Sequence, residues 1–460
     1  MSDYRRLLAR LNPSDLAYFG AVALPPACIA AMIHWHGVNV PYWDEWDTIP
    51  RVIKAFNGTL TFQDLWSQHN EHRLLLVNII SIVLAKATSY DLKSNMYCGF
   101  GFQILSLVLI GRLIRITCRN ARPVLIRPLT ICASLLIFST AAWECWTWAM
   151  ASVQFLLSVL WAVATVWALT EWPGCWRGVA IAFSTAILGA CTAASGLPLF
   201  AVLIVGILWV GREGGRVRWA QLGFVVLLTA LFVAFYFIGW NSVSHSTQAF
   251  SVRSAAAFVE YPFTYLGSPF VNRGSSWKLA FAFGVLGSSL FSFHVWRILH
   301  WPPGRAASVA PWVLLAVFVV LNAGLTTVGR FDLGAGQGVA SRYTDIALLF
   351  WISLLVLSCA LARRSEWRPR GARESVVAAI LGAALIAGYA VRYWQGYERM
   401  VERAQALEAA SQFVLDYKTA PDEVLLPLHP FPATVREQAE ALDQFSLGPF
   451  AQRRPDAEAK

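Results

Sequence analysis

The stretch LAYFGAVALPPACIAAMIHWH (Leu16 to His36), followed four residues later by PYWDEWD (Pro41 to Asp47), decides the fold. The first stretch has the length and apolarity of a membrane crossing, which needs about 20 mostly apolar residues. The second sets three carboxylates, Asp44, Glu45 and Asp47, among Trp43 and Trp46 just past its end. Ionised groups at a membrane edge are costly unless they meet water, a metal, a counter-charge or a substrate. Together the two stretches read as a membrane anchor that leads straight into a catalytic site on the outer face of the bilayer.

The rest of the chain repeats the first signal. It is 57% hydrophobic and only 14% charged, against roughly 25% charged residues in a soluble domain. Apolar runs recur near 16–36, 95–115, 124–142, 150–170, 178–193, 197–211, 221–240, 278–297, 308–327, 343–362 and 375–391. They predict an all-α polytopic membrane protein with about eleven transmembrane helices. The runs at 178–193 and 197–211 are short for two crossings, and one hairpin dipping into the bilayer is the alternative.

Arginine sets the orientation. On this layout one side holds Arg5, Arg6 and Arg10, then Arg112, Arg115, Arg119, Arg122 and Arg127. It also holds Arg177, Arg212, Arg216, Arg218, Arg297 and Arg305, then Arg363, Arg364, Arg368, Arg370 and Arg373. The short loops opposite, after the third, fifth and ninth runs, carry only Arg330 and Arg342. The positive-inside rule then places the N-terminus in the cytoplasm and the acidic stretch and C-terminus outside. Topology thus accounts for the net charge of +10, and no nucleic-acid partner is expected. Asn12 to Asp15 precede a full-length span, not a shorter signal h-region, so the first span is expected to remain as an anchor. None of the eight cysteines forms a CxxC pair. They read as small apolar packing residues and not as a disulfide or zinc framework.

Two regions follow: a transmembrane unit over 1–391, with a large first outer loop at 37–95, and a small helical tail over 392–460. Within the loop, Thr48 to Asn57 reads as a helix stopped by Gly58, and Thr61 to Ser67 as another turn of helix. Leu74 to Ala85 is apolar but short for a span, and is expected to lie along the outer interface. In the tail, Met400, Ala404, Leu407, Ser411, Val414 and Tyr417 recur at helical spacing. Thr434 and Glu437 suggest a capping box. The tail is marginal as an independent core and is expected on the outer face of the bundle.

Four constellations carry chemistry. In the acidic cluster, one of Asp44, Glu45 and Asp47 is placed to accept a proton while another orients it or holds a metal. Oxygen ligands suit Mg²⁺ or Mn²⁺, but the sequence fixes no metal and no cofactor. Trp43 and Trp46 offer faces on which a sugar ring stacks. The second constellation is His69-Asn-Glu-His-Arg73, whose spacing is not that of a zincin; Arg73 suits a phosphate, with His69 or His72 beside it. The third runs from Gly329-Arg-Phe-Asp332 to Ser341-Arg-Tyr343, where Arg330 and Arg342 suit an anionic headgroup arriving from the bilayer. The fourth is Trp143-Glu-Cys-Trp-Thr-Trp148, in which Glu144 is a candidate second carboxylate. Glu260, Tyr261, Tyr265, Asn272 and Arg273 are weaker candidates for an acceptor groove. Each has a plainer reading as a solvated loop, a belt tryptophan or a snorkelling arginine.

The Asp44-Glu45 pair after the first span, the helix-rich loop ending in His69-Asn-Glu-His-Arg73, and the many short-looped spans resemble the C-type-fold integral-membrane glycosyltransferases. Those include the protein mannosyltransferases and the aminoarabinose and lipopolysaccharide-core transferases of bacteria. Ser341-Arg-Tyr343 before a late span looks like that of an uncharacterised bacterial branch. The resemblance implies a polyprenyl-phosphate-linked sugar as donor, a glycan, lipid or protein acceptor, and transfer at the periplasmic face of a bacterial inner membrane. It maps the family's acidic pair onto Asp44 and Glu45, with Asp44 the base and Asp47 a competitor. Arg342, with Arg330 or Arg73, would stabilise the departing phosphate. The usual His-Pro-Pro stretch is replaced by His69-Asn70-Glu71-His72. A transporter or flippase of lipid-linked saccharide would instead need ionisable residues deep within the spans, and a polymerase or ligase would concentrate charge in one late loop. A non-catalytic assembly protein is the remaining alternative.

Overall fold

The computed structural model describes residues 12–118, 125–210, 215–241, 252–271, 276–362 and 371–451. Of the residues invoked above, Arg5, Arg6, Arg10, Arg119, Arg122, Arg212, Arg363, Arg364, Arg368, Arg370, Asn272 and Arg273 lie outside them.

Among the described residues the chain is all-α apart from one small hairpin. Helix α1 (Pro13–His36) leads into a 3-10 turn, Trp43–Thr48, and then into α2 (Ile49–Phe56) and α3 (Phe62–Trp66). Strands β1 (Gln68–His69) and β2 (His72–Arg73) pair antiparallel. They are followed by α4 (Leu75–Thr88), α5 (Leu92–Thr117), α6 (Ile126–Ile137), α7 (Trp143–Thr147) and α8 (Ala149–Glu171). Then come α9 (Trp176–Thr192), α10 (Pro198–Val210), α11 (Gly215–Tyr236), α12 (Val252–Gly267) and α13 (Trp277–Leu299). The chain continues through α14 (Pro303–Ser308), α15 (Ala310–Arg330), α16 (Thr344–Ala362), α17 (Gly371–Leu415), α18 (Asp422–Leu425) and α19 (Pro432–Gln444).

Eight stretches among the described residues are helical, long and apolar enough to cross a membrane, so the protein is a multi-pass membrane protein by length and composition. This differs from the eleven expected: α9 and α10 are apolar but short, and the first turns of α17 are not among the eight. α8 lies at the centre, with its most apolar window 89% buried. By contrast α11 exposes Phe224, Leu227, Leu231 and Phe235, the pattern of a helix facing lipid. α12 and α13 pack backbone to backbone. A Cβ at Gly284 would fall 1.8 Å from the Phe263 carbonyl oxygen, and one at Gly267 would fall 1.8 Å from that of Ala280. Only glycine permits that approach.

Local signals in the first loop hold. Gly58 follows α2 with φ +73°, and α3 is capped reciprocally by Thr61 and Asp64. Two expectations are corrected. The stretch between the apolar runs at 221–240 and 278–297, which reads as an outer loop from Asn241 to Trp277, contains the sixteen-residue helix α12. Thr434 and Glu437 form no capping box, because α19 starts at Pro432 with Phe431 before it; proline fits a first helical turn. The membrane unit and the tail are joined through one helix, α17 (Gly371–Leu415), within which the 391/392 division falls.

The tail does not stand alone. It buries Met400, Ala404, Leu407, Val414 and Tyr417 and folds back onto the first loop. The Gly448 N–H donates to the Ser89 carbonyl at 2.8 Å, and the Trp43 N–H donates to the Leu428 carbonyl at 2.7 Å.

Candidate active site

The ends of α8, α9, α11, α15 and α16 gather around a cavity of about 710 Å³ roofed by the first loop, a size typical of small-ligand sites. The acidic stretch reaches it through its 3-10 turn. Trp43 takes the left-handed conformation at φ +49°, a sparsely populated region for a bulky residue, and turns the chain into the site. The turn sends its three carboxylates in different directions: Asp44 into the cavity, Glu45 behind its wall and Asp47 towards the tail.

The three carboxylates therefore meet different surroundings. Asp44 lines the cavity, with its Oδ2 at 3.4 Å from His69 Nε2. Burial pushes its carboxyl upward, but the hydrogen bond to His69 and the charges of His69, Arg342 and Arg330 outweigh this, so its pKa lies below the usual value. Glu45 is buried behind the wall, where its two oxygens accept the Tyr42 and Met150 N–H groups at 2.8 Å each. Burial raises its pKa to about 7 against the pull of those two bonds. Asp47 is half exposed and faces the tail, 3.7 Å from His429 Nε2. Trp43 lines the cavity, whereas Trp46 is fully buried in the core.

The second constellation folds into the β1–β2 hairpin, with Asn70 at its turn and φ +48°. His69, Glu71 and His72 line the cavity. His72 is held neutral, its pKa lowered to about 4 chiefly by burial. Its Nδ1 accepts the Ala194 N–H at 3.4 Å, which leaves the ring proton on Nε2. Arg73 turns away from the cavity. Its guanidinium donates to three backbone carbonyls, those of Tyr236 at 3.0 Å, Trp66 at 2.8 Å and Ile238 at 2.7 Å. It clamps α3 to the end of α11 and has little left to offer a phosphate.

Two cations face Asp44 across the cavity. Arg330, at the end of α15, bonds Glu71 Oε2 at 3.0 Å. Arg342 bonds Glu144 Oε1 at 3.1 Å. Glu144 Oε2 also accepts the Ser341 hydroxyl at 2.6 Å and the Arg342 N–H at 3.1 Å. Each guanidinium gives one amino group to its carboxylate and has further N–H donors in its fork. Tyr343 lines the wall, stacked on Tyr265 with ring centres 5.2 Å apart. The glycine-rich segment folds as 3-10 turns at Phe331–Leu333, Ala335–Val339 and Ser341–Tyr343. Tyr261 is buried and does not line the cavity, and neither does Glu260. On one side Phe237, Leu325, Val328 and Leu333 both line the cavity and are exposed at the protein surface, so the cavity wall there is continuous with the apolar exterior.

Trp148 and Gln154, which belong with the fourth constellation, are in the wall, and sequence reasoning missed Tyr42, Asn322 and Gln337 there and Arg403 behind it. Asn322 sits within a span and Tyr42 and Gln337 in loops, and nothing local marks any of them. Among the described residues no group of three or more His, Cys, Asp or Glu side chains is arranged to hold a metal ion; the 3-10 turn splays Asp44, Glu45 and Asp47 apart.

Compared with family models and with curated proteins, the chain matches none.

Proposed function

We propose that the protein is a glycosyltransferase that moves a sugar from a polyprenyl-phosphate-linked donor to a hydroxyl of a glycan, lipid or protein acceptor. The observation that carries this reading is one cavity holding an ionised aspartate opposite two arginines, with an apolar wall continuous with the lipid-facing surface. A base, a phosphate site and an entrance for a lipid chain are the parts such a transfer requires. Asp44, with its pKa held low, takes the proton of the acceptor hydroxyl. That oxygen attacks the anomeric carbon from the face opposite the phosphate. The bond from that carbon to the phosphate oxygen breaks, and its electrons leave with polyprenyl phosphate, so the configuration inverts. Arg330 and Arg342 receive the charge that develops there; preorganised donors of this kind are often the largest catalytic term. Glu71 and Glu144 hold the two arginines in place, and neutral His72 presents an N–H to a sugar hydroxyl.

In this reading α9, α10 and the first half of α17 join the eight longer helices to give eleven crossings. The alternation supports it: α9, α11 and α15 end beside the cavity, whereas α8, α10 and α16 start beside it. The arginine distribution then puts the N-terminus in the cytoplasm and the cavity on the periplasmic side of a bacterial inner membrane. The test is release of polyprenyl phosphate from a panel of lipid-linked sugars by the protein in nanodiscs. Release that disappears in Asp44→Asn is expected; release that persists in that variant contradicts the assigned base.

A further inference from the structure

The tail sends a buried cation to the back of the cavity wall. Arg403, on α17, is nine-tenths buried. Its guanidinium carbon lies 3.9 Å from the ring centre of Tyr42, 5.6 Å from Trp143 and 5.7 Å from Trp148. Tyr42 and Trp148 are themselves cavity walls. Glu144 and Glu45 are the carboxylates whose charge reaches it. Its Nε and Nη2 find no acceptor among the described residues, so the aromatic box, a hydrogen bond with the Tyr42 side chain and the two anions are what hold it. A desolvated arginine over such faces is held by the negative potential of the rings.

A second contact from the tail acts on the same turn. The Leu428 carbonyl accepts the N–H of Trp43, the left-handed residue immediately before Asp44. His429 faces Asp47 at the other end of the turn. A strained backbone conformation persists only where its surroundings over-determine it, and here the tail supplies those surroundings.

We propose that the C-terminal tail is part of the site, with Arg403 and the Leu428–His429 turn as positioning elements that hold the acid turn so that Asp44 faces the cavity. The catalytic consequence rests on the transferase reading; the positioning itself does not. Two measurements on the full chain in nanodiscs separate them. Hydrogen exchange of the amides of residues 43–48 reports the turn without any substrate. Steady-state release of lipid phosphate reports turnover.

In Arg403→Met the exchange is expected to accelerate, and kcat to fall about 10²-fold, the scale of a misplaced reacting group. The donor KM should stay close to wild type, because Arg330 and Arg342 are untouched. Arg403→Lys keeps the charge without the planar fork and should restore part of both signals, which a purely structural loss would not show. Wild-type exchange and wild-type kcat in Arg403→Met would overturn the proposal. If that variant does not fold, Arg403→Lys and His429→Ala decide: faster exchange in either supports the proposal, and native behaviour in both overturns it. If the wild type turns over no donor, the transferase reading fails and the exchange measurement alone decides the role of the tail.

Discussion

Glu144→Gln tests how the cavity keeps an arginine in place. The Glu144 carboxylate serves three donors: the Ser341 hydroxyl at 2.6 Å, the Arg342 N–H at 3.1 Å and Arg342 Nη1 at 3.1 Å. A glutamine retains one acceptor oxygen. Set where Oε2 was, that oxygen keeps Ser341 and the backbone N–H, and its amide NH₂ then confronts Nη1, donor against donor. One charge-assisted bond is lost, worth about 1.5–3 kcal/mol, and a largely buried guanidinium loses its counter-charge. The sum is about 3 kcal/mol, at the low end for breaking a buried pair, because the cavity admits water. Arg342→Gln alone should cost a similar amount. In the double variant neither charge remains to be orphaned, so the penalty should fall short of the sum by about 2 kcal/mol. Denaturant unfolding of the four proteins in one detergent closes the cycle. A coupling energy under about 0.5 kcal/mol would show that the two residues do not act as a pair and would refute the reasoning.

Three further outcomes are expected. Arg73→Met, which strips three carbonyls of their donor, should destabilise the protein by about 3–5 kcal/mol in the same assay, and a loss under about 1 kcal/mol would return Arg73 to the list of ligand-binding candidates. Asp47→Asn removes a half-exposed contact at 3.7 Å and should change stability by under about 1 kcal/mol while keeping most turnover; a dead, folded variant would make Asp47 the base. The pKa of Asp44 is lowered in the fold, so any stability it contributes is present above the unfolded value and lost as pH falls through the folded one. Its ionisation should accordingly place the acid limb of the pH–rate profile below the usual carboxylate range, and a limb above that range would contradict the assignment.

The spans were readable because hydropathy is a local property: twenty apolar residues need a bilayer or a core whatever lies around them. Gly58 as a helix stop and the turn of helix over Thr61 to Ser67 were readable for the same reason. The three acids of the first loop were visible as a cluster but not separable. Which one meets a ligand depends on a 3-10 turn whose direction is set by Trp43, and Trp43 is held from nearly four hundred residues away by Leu428. The hairpin at Gln68 to Arg73 has strands of two residues, too short for any period; the one signal was Asn70, a residue tolerant of the left-handed conformation at its turn. Arg73 looked like an anion ligand because guanidinium groups suit phosphates, yet three backbone carbonyls take its donors. Arg403 carries no local mark in the sequence, and only the fold brings it under Tyr42 and Trp148. The run at 375–391 and the tail looked like separate units because composition changes between them, although one helix carries both.

The most direct test of the central claim is mass spectrometry of polyprenyl phosphate released from lipid-linked sugars by wild type and Asp44→Asn in nanodiscs. General-base help is worth about 10²–10⁴-fold, so the account predicts release by the wild type and a loss of that order in the variant, with unfolding midpoints alike. Equal release by both proteins, or equal donor binding with release by neither, would remove catalysis from Asp44 and contradict the account.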